Sequence, residues 1–493
     1  MSHALAPTGG HRAWRGDDFP AWLSPMLVKE LRQGIQSGVF AWTFIALHVV
    51  MALLMTWAIM SLADGVGAGD VMDVVQIAFW GAVGAATAVV IPLRGLGAIA
   101  SERVGSNLDL VTLTHLSATR IVVGKWIALV VQSLLLAMAT LPYLVLRHFF
   151  GGLNVVGDLA TFGWVLATAM LVTAAAVALS TLPRWVRIGA GVLAGAVALP
   201  LAAVVMDDVF SSGPASWSWP PFFGVGLAAL IGLYTLACLL FAAARIAPAA
   251  ENHAAHLRVL ALAVASVWAV AGWRLDDEAT VLTMVSTAPL LILVCVGALL
   301  EKPPHLASPI ASWARLGPVG AIASRLLAPG WATGLLFVVT AWSLCMVGVL
   351  GLANRFAGGD WLRQHAVLGL LALATLVFPL PVVVSRFRSR MPLANYAIVQ
   401  LVSLMILVWS GGPRSTDGSA PESMTWVVVM PFPLAALATF VGLRADDAWA
   451  PAFLAAALLT LAAVMAAVFR PWLRDMRAVD RLVATARGGR ARR

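Results

Sequence analysis

Residues that could perform chemistry on a small molecule are few in this sequence, and none forms a recognisable catalytic arrangement. His253 and His256, beside Glu251, have the spacing of a helical metal-binding pair, but no third ligand is placed with them. The chain contains no His-Glu-x-x-His, no Gly-x-Ser-x-Gly and no Gly-x-x-x-x-Gly-Lys-(Ser/Thr) motif. Gly124-Lys125 is followed by Trp126 and lacks the preceding glycine loop. We therefore predict no catalytic residue, no cofactor site and no metal site on this chain.

The cysteines and the acidic clusters have simple structural explanations. The cysteine count is odd and each cysteine lies within an apolar run, which predicts buried thiols rather than a disulfide framework or a zinc site. They are Cys238, Cys295 and Cys345. Acidic residues cluster at 207–208, 276–278 and 446–447. We interpret these clusters as solvated loop ends, and the alternative is a membrane enzyme that binds a metal–phosphate head group there.

The composition indicates a polytopic membrane protein. Of the 493 residues, 61% are hydrophobic and only 11% are charged, and the mean hydropathy is +0.91. A soluble domain has about 25% charged residues and could not cover so much apolar surface. The composition excludes a soluble enzyme, a secreted disulfide scaffold and a disordered regulator. The net charge of +9 is explained by loop charges that orient the spans, so we predict no nucleic-acid partner.

The apolar runs predict an all-α fold with about twelve transmembrane helices, since a span needs about 20 mostly apolar residues. The predicted spans are 39–62, 71–93, 126–146, 158–180, 186–206, 222–244, 259–273, 279–300, 331–353, 364–384, 393–410 and 449–469. A further apolar stretch at 424–442 contains Pro431 and Pro433. We predict that this stretch does not cross the membrane and forms a re-entrant or outer-face helical pair.

The basic residues determine the predicted orientation. If 424–442 does not cross, most of the 32 Lys and Arg residues lie on the same side as both termini. Cytoplasmic loops of membrane proteins are enriched in Lys and Arg. Both termini are therefore predicted to be cytoplasmic. The cluster at 386–390 and the arginine-rich tail are interpreted as orientation charges, with contacts to lipid phosphate as a further role.

The order of spans and loops predicts two similar halves of about six spans each. One alignment starts the second half near residue 257. In a second alignment, Pro25 with Arg32 matches Pro318 with Arg325, and each pair precedes a span. The predicted domains are an N-terminal region at 1–38, a first half at 39–250, a second half at 251–470 and a basic tail at 471–493.

The segment before the first span predicts a short amphipathic helix. Ser24 is a candidate N-cap and Pro25 suits the first helical position. Leu27, Leu31 and Ile35 recur at helical spacing, and charged or amide side chains fill the other positions. Such a helix would lie in the cytoplasmic headgroup layer. The alternative is an ordinary soluble cap helix.

The loop after the second span predicts a docking element. In residues 102–125 the apolar Leu108, Val111 and Leu116 can face one side, with Asp109 and Thr112 on another. A partly apolar helix at the cytoplasmic end of two spans is a plausible contact surface for a soluble partner.

These two segments together resemble the membrane-spanning permease subunits of second-type ABC exporters. In that family a short elbow helix with the pattern Pro-x-x-x-(Lys/Arg)-Glu-(Leu/Phe) precedes the first span. The matching residues here are Pro25, Lys29, Glu30 and Leu31, followed by Arg32. The family's loop after the second span is matched by Glu102, Leu108, Asp109, Leu110, Thr114, Leu116, Ser117, Ile121, Val122, Gly124 and Lys125. The departures are Asn107, Val111 and His115, and the last replaces a proline that breaks the coupling helix in the family.

The resemblance implies a transport subunit without ATPase activity of its own. A separate cytoplasmic ATP-binding cassette subunit, in two copies, would carry ATP and Mg²⁺ and receive the coupling helix. The residues that the resemblance implies for coupling to the ATP-binding subunit are Glu102, Leu108, Asp109, Leu110, Thr114, Leu116, Ser117 and Lys125. The implied location is a bacterial inner membrane. The transport pathway is formed either by the two halves of one chain or by this chain together with a second permease subunit. The substrate is expected to be apolar or amphipathic.

Other functions remain open on the sequence alone. A secondary transporter would need ionisable residues deep within spans. The polar residues at mid-depth are His48, Gln76 and Gln132, which we interpret as helix–helix hydrogen-bonding residues, while Asp73 and Lys125 lie near span ends. A polytopic membrane enzyme and a non-transporting membrane scaffold are the remaining alternatives.

Overall fold

A computed structural model describes the helical parts of the chain. The described residues are 25–100, 117–149, 155–184, 187, 221–248, 251–275, 277–301, 310, 313, 317–355 and 450–488. Within these residues the regular structure is helical and no β-strand occurs. The all-α prediction is therefore confirmed for the described part of the chain.

The principal helices, in chain order, fall into two sets. The first set is α1 Pro25–Ile35, α2 Gly38–Ala63, α3 Ala68–Gly95, α4 Ala118–His148, α5 Val155–Ser180 and α6 Pro221–Ile246. The second set is α7 Ala254–Arg274, α8 Asp277–Leu300, α9 Gly317–Leu327, α10 Trp331–Arg355 and α11 Ala450–Gly488.

In the described part of the chain, eight helices are long and apolar enough to cross a membrane, which indicates a multi-pass membrane protein. They are α2 to α8 and α10, and each coincides with a predicted span. Apart from residue 187, the predicted spans 186–206, 364–384 and 393–410, and the stretch 424–442, lie outside the described residues. The predicted span 449–469 and the start of the predicted basic tail form one continuous helix, α11, which passes through Pro471 without ending. The total of twelve spans stays a prediction.

The chain divides into two compact units, Met1–Arg245 and Ile246–Arg493. In the first unit, α3 contains a π-helical turn at Ala85–Val90 that packs against α4 and α5. The Ser133 hydroxyl of α4 donates a hydrogen bond to the Thr87 carbonyl of this turn at 3.1 Å. Such turns leave backbone carbonyls without their usual helical partners, and a neighbouring hydroxyl supplies one here.

In the second unit, α7 and α10 pack backbone against backbone. A Cβ atom at Gly272 would overlap the Gly348 carbonyl, and a Cβ atom at Gly348 would overlap the Trp268 carbonyl. Small residues at a helix interface allow this close approach, which replaces the missing hydrophobic driving force between helices in lipid. The Trp268 indole N–H donates to the Thr287 hydroxyl at 2.8 Å and ties α7 to α8.

Candidate functional site

The candidate site is a polar junction at which α1 is fixed to the spans of the first unit. Lys125, in the second turn of α4, places its Nζ atom 2.9 Å from the Glu30 Oε1 atom of α1. Lys125 is 4% exposed, and the Glu30 side chain is 21% exposed. A lysine is rarely buried to this degree unless it is paired, so this ion pair accounts for its position. The two residues belong to the two segments that the sequence analysis singled out.

A second contact in the junction joins α1, α3 and α4. The Arg94 Nη1 atom, at the end of α3, donates to the Gln132 Oε1 atom of α4 at 2.5 Å and to the Gly34 carbonyl of α1 at 3.3 Å. The Gln132 Nε2 atom donates to the Ala128 carbonyl at 3.0 Å, and Gln132 is 2% exposed. One guanidinium therefore connects three helices, and at Gly34 it adds to the hydrogen bond that the Ser37 hydroxyl donates to the same carbonyl at 2.7 Å.

Gly34 lets α1 lie directly on α4. A Cβ atom at this position would collide with the Gln132 amide, which is itself held by its two hydrogen bonds. The glycine is needed for the close approach and not for an unusual backbone conformation. Together with the Glu30–Lys125 pair, it fixes which face of α1 lies against the spans.

The remaining α1 residues of the predicted motif lie on or beside the free face. Lys29 and Arg32 are exposed, and Leu31 is half-buried. Pro25 is the first residue of the helix, as its fixed φ angle favours. A helix is thus present where the sequence predicts one. Its placement in the headgroup layer stays a prediction.

Most of the predicted coupling residues lie outside the described residues. These are Glu102, Leu108, Asp109, Leu110, Thr114 and Leu116. Ser117 is described and is the N-cap residue of α4, where its carbonyl accepts the Ile121 N–H at 3.3 Å. Of the predicted coupling residues, the structure therefore describes Ser117 and Lys125, and it brings Lys125 to Glu30 of the predicted elbow helix.

Sequence reasoning missed part of the junction. From the sequence, Arg94 is one of many basic residues that orient the spans, and Gln132 is interpreted only as a helix–helix hydrogen-bonding residue. A basic residue at the end of one span and an amide within the next were the available signals, but neither indicated that both contact α1. The contact joins residues 60 and 38 positions apart along the chain.

The second unit contains a comparable junction around α9. Arg258, on α7, is 1% exposed. Its Nη1 atom donates to the Ala328 carbonyl at 2.7 Å and the Leu326 carbonyl at 3.0 Å. Its Nη2 atom donates to the Gly330 carbonyl at 3.1 Å and to the Glu301 Oε2 atom at 2.6 Å. A buried arginine thus binds the C-terminal end of α9 and its connection to α10.

The two junctions share a plan. Both α1 and α9 contain 11 residues and directly precede a long apolar helix. Each receives a guanidinium from another helix at its C-terminal carbonyls, Arg94 for α1 and Arg258 for α9. The two guanidinium groups do not correspond in the alignment that matches Pro25 with Pro318, because Arg94 follows α1 in the chain whereas Arg258 precedes α9.

The histidine pair does not build a metal site with its neighbours. The His253 Nε2 atom lies 2.5 Å from the Glu251 Oε2 atom, and the rings of His253 and His256 are 5.7 Å apart. Within the described ranges, no group of three or more His, Cys, Asp or Glu residues could hold a metal ion.

Comparison with known proteins gave no relative of this chain: no protein-family model, no curated protein and no solved structure matches it.

Proposed function

We propose that this chain is the transmembrane permease subunit of an ATP-driven exporter and that a separate ATP-binding cassette subunit drives it. The proposal rests on the resemblance of residues 20–130 to second-type ABC permeases. The observation that supports it best is the Glu30–Lys125 ion pair, because it links the elbow segment to the helix that follows the coupling loop. In this proposal both termini are cytoplasmic, the membrane is a bacterial inner membrane, and ATP and Mg²⁺ bind to the partner.

The junction suits the transmission of a movement. A partner that pushes on residues 102–117 displaces the start of α4, and the Glu30–Lys125 pair and Arg94 carry that displacement to α1 and α3. A ligand shifts such an equilibrium only by its differential contacts with the two states. The π-helical turn of α3 lies along this path and is a point at which the span can rearrange its backbone hydrogen bonds.

The substrate pathway is expected to favour apolar or amphipathic molecules, because charged residues within the spans are few. The second unit would supply either the other half of the pathway or a contact surface for a second permease. A polytopic membrane enzyme and a non-transporting scaffold are the alternative functions, and both predict no dependence on an ATP-binding partner.

The first experiment tests docking. The full chain is purified from its native membrane, and ATP-binding cassette subunits in the eluate are identified by mass spectrometry. The wild-type protein is expected to retain such a subunit. The double variant Asp109→Ala with Leu110→Ala is expected to lose the subunit, although the variant itself still inserts into the membrane. Equal recovery of the partner by both proteins would contradict the docking surface, and absence of any such subunit would contradict the proposed function.

The second experiment tests the junction in the reconstituted complex by charge exchange. Glu30→Lys and Lys125→Glu are each expected to lower substrate-stimulated ATPase activity about tenfold, since each leaves a buried like-charge pair. The double exchange is expected to restore much of it. Gln33→Glu, at an exposed position of α1 outside the motif, is the matched control and should leave activity near wild type. Robust solute flux by the chain alone, driven by an ion gradient, would contradict the proposal as a whole.

A further inference from the structure

The C-terminal part of α11 has two chemically distinct faces. One face packs against the start of α10 and the end of α9. Val479 and Val483 form a small core with Ile310 and Ala328. The Trp472 indole N–H donates to the Ala332 carbonyl at 2.9 Å. This face is therefore fixed to the second unit.

The opposite face carries a stripe of arginines. Arg470, Arg474, Arg477 and Arg481 are spaced at intervals of four, three and four, so they lie on one side of the helix. All four are exposed, and with Leu473 they line an open groove of about 390 Å³. We call these four residues the arginine stripe.

The stripe has little compensating charge. The two acidic residues of this helical stretch are engaged toward the packed face: the Asp480 Oδ1 atom lies 2.8 Å from the Arg325 Nε atom, and the Asp475 Oδ2 atom accepts the Trp331 indole N–H at 2.9 Å. Asp475 also lies 3.2 Å from the Arg474 Nε atom. Among the described residues, the other three arginines of the stripe have no ion-pair partner. Like charges at this spacing repel each other, so an anion bound along the stripe would relieve that cost.

The surroundings of the stripe are those of a membrane interface. The stripe begins where the apolar part of α11 ends, next to Phe469 and Trp472, whose rings stack at 6.2 Å. Aromatic and basic residues together at a span end are typical of the headgroup region. On the neighbouring helix α9, Val319 is 75% exposed and Ile322 is 67% exposed. Such a short helix with an apolar free face is typical of the boundary between headgroups and acyl chains.

We propose that the arginine stripe binds the phosphate groups of anionic phospholipids in the adjoining leaflet. Guanidinium groups bind phosphate oxygens in a bidentate manner and are more weakly hydrated than ammonium groups. The packing of α11 on α9 holds the stripe beside the lipid surface, so the helix need not be ordered on binding. A membrane is favoured over a protein partner because the residues that precede the stripe in the same helix are apolar and belong to the predicted span 449–469.

The test uses the full chain and native mass spectrometry with phosphatidylglycerol and phosphatidylcholine as probes. Each arginine near an anionic surface contributes roughly a fivefold factor to binding. The quadruple Gln variant replaces all four arginines of the stripe: Arg470→Gln, Arg474→Gln, Arg477→Gln and Arg481→Gln. We expect it to bind phosphatidylglycerol at least about tenfold more weakly than wild type, with phosphatidylcholine binding unchanged. The quadruple Lys variant, with lysine at the same four positions, is expected to lose less affinity for phosphatidylglycerol because it keeps the positive charge. Arg274→Gln, at the exposed C-terminal end of α7, is the control and should leave phosphatidylglycerol binding unchanged.

Three results would overturn the proposal. The first is unchanged phosphatidylglycerol binding by the quadruple Gln variant. The second is loss of a co-purifying protein by that variant with lipid binding intact, which would assign the stripe to a protein partner. The third is displacement of the lipid by millimolar inorganic phosphate, which would assign the stripe to a soluble anion. If the quadruple Gln variant does not accumulate in the membrane, the double variant Arg477→Gln with Arg481→Gln provides the same test, with a smaller expected loss of lipid affinity.

Discussion

The two short helices that precede a span, α1 and α9, are held in different ways. α9 is bound through its backbone, because Arg258 donates to the carbonyls of Leu326, Ala328 and Gly330 from a fully buried position. α1 is bound mainly through side chains, by the Glu30–Lys125 pair and by one carbonyl contact from Arg94. The same plan therefore holds α9 by its C-terminal carbonyls, and α1 by its side chains and by its close approach to α4 at Gly34.

The difference concerns what each helix loses when it separates from its partner groups. Separation of α9 from Arg258 leaves a guanidinium that is 1% exposed without its acceptors, and a buried charge without partners is costly. Side chains such as Glu30 can change rotamer while their helix stays intact. We call the Arg258 contacts the anchor of α9, and we expect their removal to cost more than the loss of a single contact of α1.

The largest expected effect is on the anchor. Arg258→Met removes the guanidinium partner of Glu301 and the side-chain donor to the Leu326 carbonyl, while the Ala328 and Gly330 carbonyls still accept the Thr333 hydroxyl. The substitution is expected to lower the free energy of unfolding by about 3 kcal/mol. Thermal unfolding in detergent measures this loss, and hydrogen exchange should rise at the connection between α9 and α10. Arg274→Met, at an exposed position, is the control and should change little. A loss no larger than that of the control would show that α9 is not anchored by Arg258.

A smaller effect is expected at the contact between α1 and α4. Gly34→Ala forces the Gln132 amide away from Arg94 and from the Ala128 carbonyl, at a cost of about 1–3 kcal/mol. The better helix propensity of alanine offsets roughly 1 kcal/mol of that cost. Gly38→Ala is the matched control, because a Cβ atom there meets nothing within 4 Å. Thermal unfolding and limited proteolysis of α1 would distinguish the two variants, and equal behaviour would show that α1 does not lie on α4.

The smallest effect is expected at the ion pair between Arg325 and Asp480. Their side chains are 47% and 43% exposed, so solvent screens the attraction. Arg325→Gln is expected to lower the free energy of unfolding by less than about 1 kcal/mol, and high salt should abolish the difference from wild type. A loss as large as that of Arg258→Met would mean that α9 is held from its exposed side as well.

The sequence predicted the helices better than the contacts. Apolar runs identified all eight described spans, because a span must satisfy its backbone within one helix and therefore has a fixed length and composition. The helix α1 was predicted from Pro25 and the spacing of Leu27 and Leu31, which are local signals. The continuation of α11 past Pro471 was not predicted, because a proline inside a helix usually marks its end.

The sequence by itself determined that the chain is a helical, multi-pass membrane protein, because hydropathy and helix length are local properties of the chain. It also singled out Glu30 and Lys125 as members of separate motifs. Only the tertiary structure decided that these two residues pair, that Arg94 and Gln132 join them, and that Arg258 anchors α9. Such contacts join residues far apart along the chain, and their geometry depends on how the helices pack, which no local pattern encodes.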